Sequence, residues 1–354
     1  MDVLRPELTW IDGRCYRKNN VQNRFNNVEE RNEDYLDADI GYDDNCYDDY
    51  EDNIDELSSG KFQGCVSVPS AFFSYVIGSK GNTKKRVESE TRTKLNIPFQ
   101  GQAGDIVITG MDKKGVSSAM RRVLLLVETI RNKTAPTHFL CIPLNIQQLK
   151  ENFINFKEDI LKKYSNTEGL DVSLFQKPEK LHLTIGTLVL MDERERKMAA
   201  KFLEECQKEI IKPLLKENPL DVKVEGIEYM NDDPGAVDVL YAKVSCTDGS
   251  NRLQILAQKL MEKFVASGFM PKQYDKVKLH ITLINTLFRT SEFDYEKSSG
   301  RNRKPRETFN AKQILKEYEN YKFATLRINS IHISVLHSTS EDGFYTCSSS
   351  ISLE

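Results

Sequence analysis

No stretch of this 354-residue chain approaches the roughly 18 apolar residues that a membrane-spanning helix needs. The first residues carry charges and Pro6 where a secretory signal is apolar, so we expect a soluble, intracellular protein. The seven cysteines are odd in number and form no CxxC pair. This pattern argues against a disulfide framework and against a zinc site.

Basic residues are almost absent from residues 29–56, where Arg31 stands against 14 acidic residues. That segment also lacks an apolar period, so residues 1–60 are predicted to be an acidic tail. Disorder throughout the tail and a short partner-docking segment around Trp10 both stay open. Residues 57–354 carry a net charge of +8, which suits a phosphate-rich ligand or reflects scattered surface charge.

Residues 61–132 show short apolar segments in the order strand, helix, helix, strand, strand, helix. Predicted helices cover residues 71–76, 82–91 and 116–130. A Gly-x-x-Gly loop joins the first two helices, and lysines follow it. Glycines let the loop backbone approach a sugar-phosphate chain, and the helix after the loop offers free N–H groups. The predicted nucleic-acid-binding residues here are Gly78, Ser79, Lys80, Gly81, Lys84 and Lys85.

This loop, at this junction, resembles a KH domain of the eukaryotic type. The resemblance implies binding of single-stranded RNA in a groove beside the loop. A KH fold that keeps its two glycines only for packing is the alternative.

Beyond a predicted linker at residues 131–136, strands and helices alternate to the end of the chain. Two predicted strands carry the same His-x-Thr pattern, His182 with Thr184 and His280 with Thr282. Alternate residues of a strand share one face, so each pair points to one side while its apolar neighbours are buried. The repeat predicts two lobes that face each other across a groove.

Two imidazoles and two hydroxyls on a groove suit phosphodiester chemistry. One neutral His can accept a proton, and a protonated His can donate one to the leaving oxygen. The Thr hydroxyls can hydrogen-bond the phosphate oxygens. This scheme requires no metal and no cofactor. A single His-x-Thr strand is more often a solvated polar face, but two copies with matching apolar flanks favour catalysis.

The paired motifs and the entering strand at residues 138–143 resemble the two-histidine phosphoesterase family, which includes 2′-5′ RNA ligase-like proteins. The fold class expected is α+β with two domains: a KH domain at 61–132, then a duplicated, two-lobed α/β phosphoesterase domain at 137–354 with a central groove. Predicted strands here include residues 180–186, 277–284 and 323–337. We interpret His138, His332 and His337, which lack a Thr partner, as structural or surface residues.

The joint order of acidic tail, KH domain and phosphoesterase domain is similar to that of subunits of nuclear complexes that contain a helicase. The resemblance implies a nuclear protein that can also be present in the cytoplasm, with a helicase and other subunits as partners in transcription and DNA alkylation repair. Two rival functions stay open: a module that binds an RNA end without turnover, and a scaffold that only positions RNA.

A basic stretch at residues 301–306 follows the second motif, and its Arg303 and Lys304 are predicted to bind nucleic acid. Cations in this position can guide a phosphate backbone toward the groove. A solvated loop and a nuclear-import signal are the alternatives.

Overall fold

The computed structural model describes residues 8–11, 14–17, 53–99, 102, 104–216, 218–289 and 306–353. Within the predicted acidic tail it places a short antiparallel hairpin of β1 (Leu8–Ile11) and β2 (Arg14–Arg17). The rest of that tail up to residue 52 lies outside the described residues.

The first domain is a four-stranded antiparallel sheet covered by helices on one face. Its strands are β3 (Ile54–Glu56), β4 (Phe62–Val66), β5 (Thr93–Asn96) and β6 (Ile106–Gly110), in the order β3-β4-β6-β5. Its helices are α1 (Phe73–Ile77), α2 (Asn82–Thr91) and α3 (Lys113–Lys133). The predicted order of elements is confirmed. Strand β3 precedes the predicted domain start at residue 61 and pairs with β4 in the same sheet.

Helix α3 is longer than predicted and replaces half of the predicted linker. The side chain of Asp112 accepts the Gly115 N–H at 2.7 Å and caps the start of the helix. Apolar residues recur along one face as far as Ile130, and Arg131 and Lys133 complete the last turn. The connection between the domains is therefore only residues 134–137.

The second domain is built on one eight-stranded antiparallel sheet. Its strands are β7 (His138–Pro143), β8 (His182–Leu188), β9 (Asp221–Tyr229), β10 (Val239–Cys246), β11 (Ile281–Asn285), β12 (Lys322–Arg327), β13 (Ser330–Val335) and β14 (Cys347–Ser352). Its helices are α4 (Gln147–Lys163), α5 (Glu193–Cys206), α6 (Lys212–Leu215), α7 (Arg252–Ala266) and α8 (Lys312–Glu317).

The strand order β12-β9-β10-β11-β8-β7-β13-β14 divides this sheet into two lobes of four strands. The first lobe holds β8, β7, β13 and β14, and the second holds β11, β10, β9 and β12. The lobes meet where β11 pairs with β8 at a single position, Ile281 with Leu183. The predicted two-lobed fold is thus confirmed, with the lobes joined edge to edge.

The predicted strand at residues 323–337 is in fact two strands in different lobes. Strand β12 pairs with β9 at the outer edge of the second lobe, whereas β13 pairs with β7 in the first. The chain leaves one lobe and enters the other at Ile328, whose N–H donates to the Leu220 carbonyl at 3.0 Å. The apolar alternation runs through this crossing and hides it in the sequence.

The two domains are in contact through the end of α3 and the segment between β8 and α5. Val189 is fully buried among core residues of the KH domain. The Arg131 guanidinium donates to the Val189 carbonyl and to the Glu195 carboxylate, and it lies 5.2 Å from the centre of the Phe72 ring. We call this set of contacts the domain interface. None of the described helices is both long enough and apolar enough to cross a membrane.

Candidate active site and RNA-binding loop

The two His-x-Thr motifs lie side by side where the lobes meet. His182 and Thr184 belong to β8, Thr282 belongs to β11, and His280 immediately precedes that strand. In an antiparallel pair centred on Ile281 and Leu183, the next positions place His182 opposite Thr282 and Thr184 opposite His280. All four side chains are half-buried on one face of the sheet, so the structure brings the predicted catalytic residues together.

The apolar neighbours of the motifs hold this face in register. Leu183 and Ile185 in β8, and Ile281 and Leu283 in β11, are at most 1% exposed. A slip of one residue would move these four side chains out of the core and the catalytic candidates into it. Burial on one face therefore fixes which side chains reach the other.

Each histidine is oriented by the same backbone contact. The Nδ1 of His182 lies 2.7 Å from the Lys180 carbonyl oxygen, and the Nδ1 of His280 lies 2.6 Å from the Lys278 carbonyl oxygen. A carbonyl only accepts, so each Nδ1 carries its hydrogen and donates. The Nε2 of each neutral ring is then a free base.

Burial favours the neutral form of both rings. It lowers the pKa of His182 to about 4, with a smaller contribution from the neighbouring His280. Burial also lowers the pKa of His280, and the Lys278 ammonium acts in the same direction. An anionic phosphate between the rings would favour the charged imidazolium and raise both pKa values.

The threonine hydroxyls are available to a ligand. Within the described residues, neither Thr184 nor Thr282 makes a side-chain hydrogen bond. A hydroxyl that already faces the groove can donate to a non-bridging phosphate oxygen without giving up a partner.

The surroundings of the two histidines differ. His182 is enclosed by aromatic rings, with centroids at 5.1 Å for Phe139, 5.4 Å for Tyr345 and 6.3 Å for Phe344. Among the described residues, His280 has one such neighbour, Tyr241, at 5.5 Å. Charge on the ring is therefore more costly at His182 than at His280.

Sequence reasoning missed the lysine that stands two residues before each histidine. The Nζ of Lys180 lies 4.5 Å from the Tyr345 ring centre, and the Nζ of Lys278 lies 4.9 Å from the Tyr241 ring centre. The signal was present, since both motifs read Lys-Leu-His-x-Thr. The tyrosines themselves lie far away along the chain and carry no such signal.

The other three histidines lie outside the groove motifs, and none belongs to a His-x-Thr strand. His138 is buried, and its Nδ1 lies 2.8 Å from the Thr137 hydroxyl. His332 lies 3.0 Å from the Ser330 hydroxyl through Nε2, and His337 is exposed with a φ of 57°. Burial lowers the pKa of His138 and of His332.

The Gly-x-x-Gly loop has the backbone geometry that its glycines permit. Gly78 and Gly81 have φ values of 71° and 78°, and Lys80 also has a positive φ of 51°. A Cβ at Gly78 would lie 2.1 Å from the Thr83 hydroxyl oxygen, so this position has no room for a side chain. A Cβ at Gly81 would meet nothing within 4 Å, which leaves this end of the loop open to solvent.

The cations of the loop point to solvent. Ser79, Lys80 and Lys85 are exposed, and Lys84 pairs with Glu88 at 3.9 Å. Lys80 and Lys85 make no ion pair within the described residues. This surface therefore offers two unneutralised ammonium groups beside the start of α2.

The predicted nucleic-acid-binding residues Arg303 and Lys304 lie outside the described residues. Arg306, at the end of the same basic stretch, is described and has a structural role. It pairs with Asp238 at 3.0 Å and donates to the Thr286 hydroxyl at 2.6 Å. Within the described ranges, no group of three or more His, Cys, Asp or Glu is placed to hold a metal ion.

Comparison with known proteins gives two family matches and one close relative. The family model of the AKAP7 2'5' RNA ligase-like domain matches residues 136–353, and that of the KH domain matches residues 65–125. The chain is 43% identical over 351 residues to the mouse protein "Activating signal cointegrator 1 complex subunit 1", and the match covers 98% of each chain.

Two solved structures show a weaker similarity. The crystal structure of TT0787 from Thermus thermophilus is 15% identical with a TM-score of 0.35, and the match covers 61% of this chain and 97% of that one. A crystal structure described as that of a phosphoesterase is 13% identical with a TM-score of 0.34, over 62% and 98% of the two chains.

Proposed function

Because the chain belongs to the AKAP7 2'5' RNA ligase-like family and carries an RNA-binding KH domain, we propose that it cleaves an RNA phosphodiester or opens a cyclic phosphate by acid-base catalysis. The observation that carries this proposal is the mirrored contact of the two histidines. Each Nδ1 donates to a backbone carbonyl two residues earlier, which leaves two Nε2 atoms for a phosphate in the groove.

The different surroundings of the two histidines support a proposed division of roles. His182 acts as the base, and its Nε2 accepts the proton of an attacking ribose 2′-hydroxyl or water. His280 is bordered by fewer rings and acts as the acid, and its Nε2–H donates to the leaving oxygen as the P–O bond breaks. The phosphate charge, placed between the rings, keeps His280 protonated for this step.

Thr184 and Thr282 hold the phosphate during this reaction. Each hydroxyl donates to a non-bridging oxygen, where negative charge grows in the transition state. The antiparallel register places one threonine opposite each histidine, so the arrangement serves either direction of attack.

A panel of short RNAs tests the proposal. One RNA carries a single 2′-5′ linkage, one carries only 3′-5′ linkages, and one ends in a 2′,3′-cyclic phosphate. We expect turnover of at least one, abolished by His182→Asn and unaffected by a chelator. Activity that disappears with the chelator and returns with a divalent metal would refute metal-independent catalysis.

A binding module without turnover is the second candidate, favoured because burial lowers the pKa of both rings. Such a module holds a nucleotide or RNA end between two neutral histidines. It would bind all members of the RNA panel and convert none, so the same panel separates the two functions.

The domain interface supports a proposal that one RNA strand serves both sites. Arg131 fixes the end of α3 against the second domain, and only residues 134–137 connect the domains. RNA held at the Gly-x-x-Gly loop would then raise the local concentration of phosphodiester at the groove. An RNA that spans both sites should bind more tightly than one that reaches a single site, and separated domains should lose this difference.

We also propose that the chain is a nuclear subunit of a complex with a helicase that acts in transcription and in the repair of alkylated DNA. The support is its similarity to the mouse protein named as a cointegrator complex subunit. Co-purification from nuclear extract tests this proposal. A chain that purifies without partners, from cytoplasm alone, would contradict it.

A further inference from the structure

An open trough lies on the second lobe beside His280. It has a volume of about 790 Å³ and three walls: the second half of β10, the start of α7, and residues 276–279 that lead to His280. Tyr241, whose ring contacts His280, lines the trough as well. The trough therefore begins where the candidate active site ends.

The trough is positively charged. Lys243, Lys276 and Lys278 line it against one carboxylate, Glu228. Within the described residues, none of the three lysines makes an ion pair, and all three are exposed. Unneutralised ammonium groups on one concave surface attract an anion.

A buried hydroxyl also lines the trough. Tyr241 is 1% exposed, and its hydroxyl lies beside the Glu228 carboxylate. Burial and the nearby Glu228 carboxylate raise the pKa of Tyr241, so the hydroxyl keeps its proton and can donate it. The hydroxyl itself is covered, so it adds a polar group to the wall of the trough but makes no direct contact with a ligand.

The start of α7 adds a second attraction for anions. Asn251 precedes this 15-residue helix without capping it through its side chain, so the N–H groups of the first turn stay available. Ser250, Asn251 and Gln254 line the trough at this end. The partial positive charge of the helix N-terminus therefore acts together with the three lysines.

The first lobe has no equivalent among the described residues. Lys180 occupies the position of Lys278, but its Nζ donates to the Ser338 carbonyl at 2.9 Å and to the Thr339 hydroxyl at 2.8 Å. It also covers the Tyr345 ring. The groove is thus aromatic on the His182 side and cationic on the His280 side.

We propose that this trough binds the phosphate that neighbours the scissile one, so the substrate is single-stranded RNA that continues past the reacting bond. The inference rests on the proposed function. Lys278 lies two residues before His280, which corresponds to roughly 7 Å of extended chain. A strand with its scissile phosphate between the histidines reaches the lysines with its next phosphate.

Binding of two small ligands tests the trough. A ribonucleoside 3′-monophosphate fills one anion site, and the 3′,5′-bisphosphate of the same nucleoside carries a second phosphate one nucleotide away. All proteins are full-length and carry Lys80→Asp, which removes a cation of the RNA-binding loop. Calorimetry at low salt gives the affinity ratio of the two ligands.

We expect the bisphosphate to bind about fivefold more tightly than the monophosphate, the size typical of contacts with exposed lysines. The double variant Lys243→Gln, Lys276→Gln should reduce this ratio to below about twofold without changing monophosphate affinity. A matched control, Lys201→Gln with Lys259→Gln, removes two exposed helix lysines that do not line the trough and should keep the ratio.

Three results overturn the inference, and the behaviour of the monophosphate shows whether the proposed function fails with it. A ratio near one in the parent protein, or an unchanged ratio in Lys243→Gln, Lys276→Gln, means that the trough holds no second phosphate. If the monophosphate still binds and loses affinity on His182→Asn, the proposed function survives this failure. If substitution of either histidine leaves the monophosphate affinity unchanged, both the proposed function and the trough proposal are wrong.

Discussion

Replacing Arg131 by Met should loosen the domain interface. The two side chains of the Arg131–Glu195 pair are only 11% and 10% exposed, and the second Glu195 oxygen accepts the Met191 N–H at 2.7 Å. Methionine keeps the apolar stem but leaves the Glu195 charge buried and unpaired. Loss of one partner from a buried pair costs about 3–5 kcal/mol. At about 2–4 °C per kcal/mol for a domain of this size, the expected fall in Tm is about 6–20 °C.

The same interface provides a matched control. Arg194 pairs with Asp105 across it at 2.7 Å, but these side chains are 56% and 37% exposed. Arg194→Met should therefore cost less than about 1 kcal/mol. The double variant Arg131→Met, Glu195→Gln should recover part of the loss, since it leaves no unpaired charge.

Thermal unfolding and RNA binding are measured on the same proteins. Arg131→Met should also weaken the dependence of affinity on RNA length, because the two sites no longer hold a fixed separation. Equal Tm values for Arg131→Met and Arg194→Met would refute the argument that the buried pair holds the domains together.

Three further predictions concern the loop, the pH dependence and the basic stretch. Lys80→Asp should reduce single-stranded RNA affinity with little change in Tm, because Lys80 is exposed. An affinity equal to that of wild type in a filter-binding titration would show that the loop does not contact RNA. The pKa of His182 is about 4 in the folded protein and 6.5 in the unfolded chain, so the unfolded chain binds a proton first as the pH falls. The free energy of unfolding should therefore decrease by about 3 kcal/mol between pH 6.5 and pH 4. His182→Asn should therefore flatten the pH dependence of urea unfolding in that window, and a curve parallel to wild type would contradict the burial argument. Neutralising Arg301, Arg303 and Lys304 should lower the salt dependence of RNA binding. Arg306 is left unchanged in this variant because it pairs with Asp238. If the slope of log affinity against log salt concentration does not change, the basic stretch is a solvated loop.

Much of the fold could be predicted because local signals agree with it. Strand β7 and helix α2 have the predicted bounds, since β7 ends at Pro143 and α2 begins directly after Gly81 of the Gly-x-x-Gly loop. The paired motifs predicted the two lobes, because burial on one face of β8 and β11 forces the polar residues onto the other. The strand predicted at residues 277–284 is shorter in the structure, where β11 covers Ile281–Asn285. The residues before His280 do not pair with β10 and instead border the trough.

Features that depend on distant contacts escaped prediction. Half of the predicted linker is the last turn of α3, whose Arg131 is held by residues about sixty positions further along the chain. The crossing between β12 and β13 is hidden by a continuous apolar alternation. The Tyr241 and Tyr345 rings contact their histidines only through strand pairing and loop packing, so no local sequence pattern predicts these contacts.

The rate of RNA cleavage by the two single histidine variants and by their double variant tests the central claim most directly. Single-turnover rates are measured on the RNA of the panel that wild type converts fastest. The account predicts that His182→Gln and His280→Gln each lower the rate by about 10²-fold or more, and that the double variant is no slower than the worse single variant, because base and acid act as a unit. A variant that keeps the wild-type rate, or a double variant whose loss equals the product of the single losses, would contradict it.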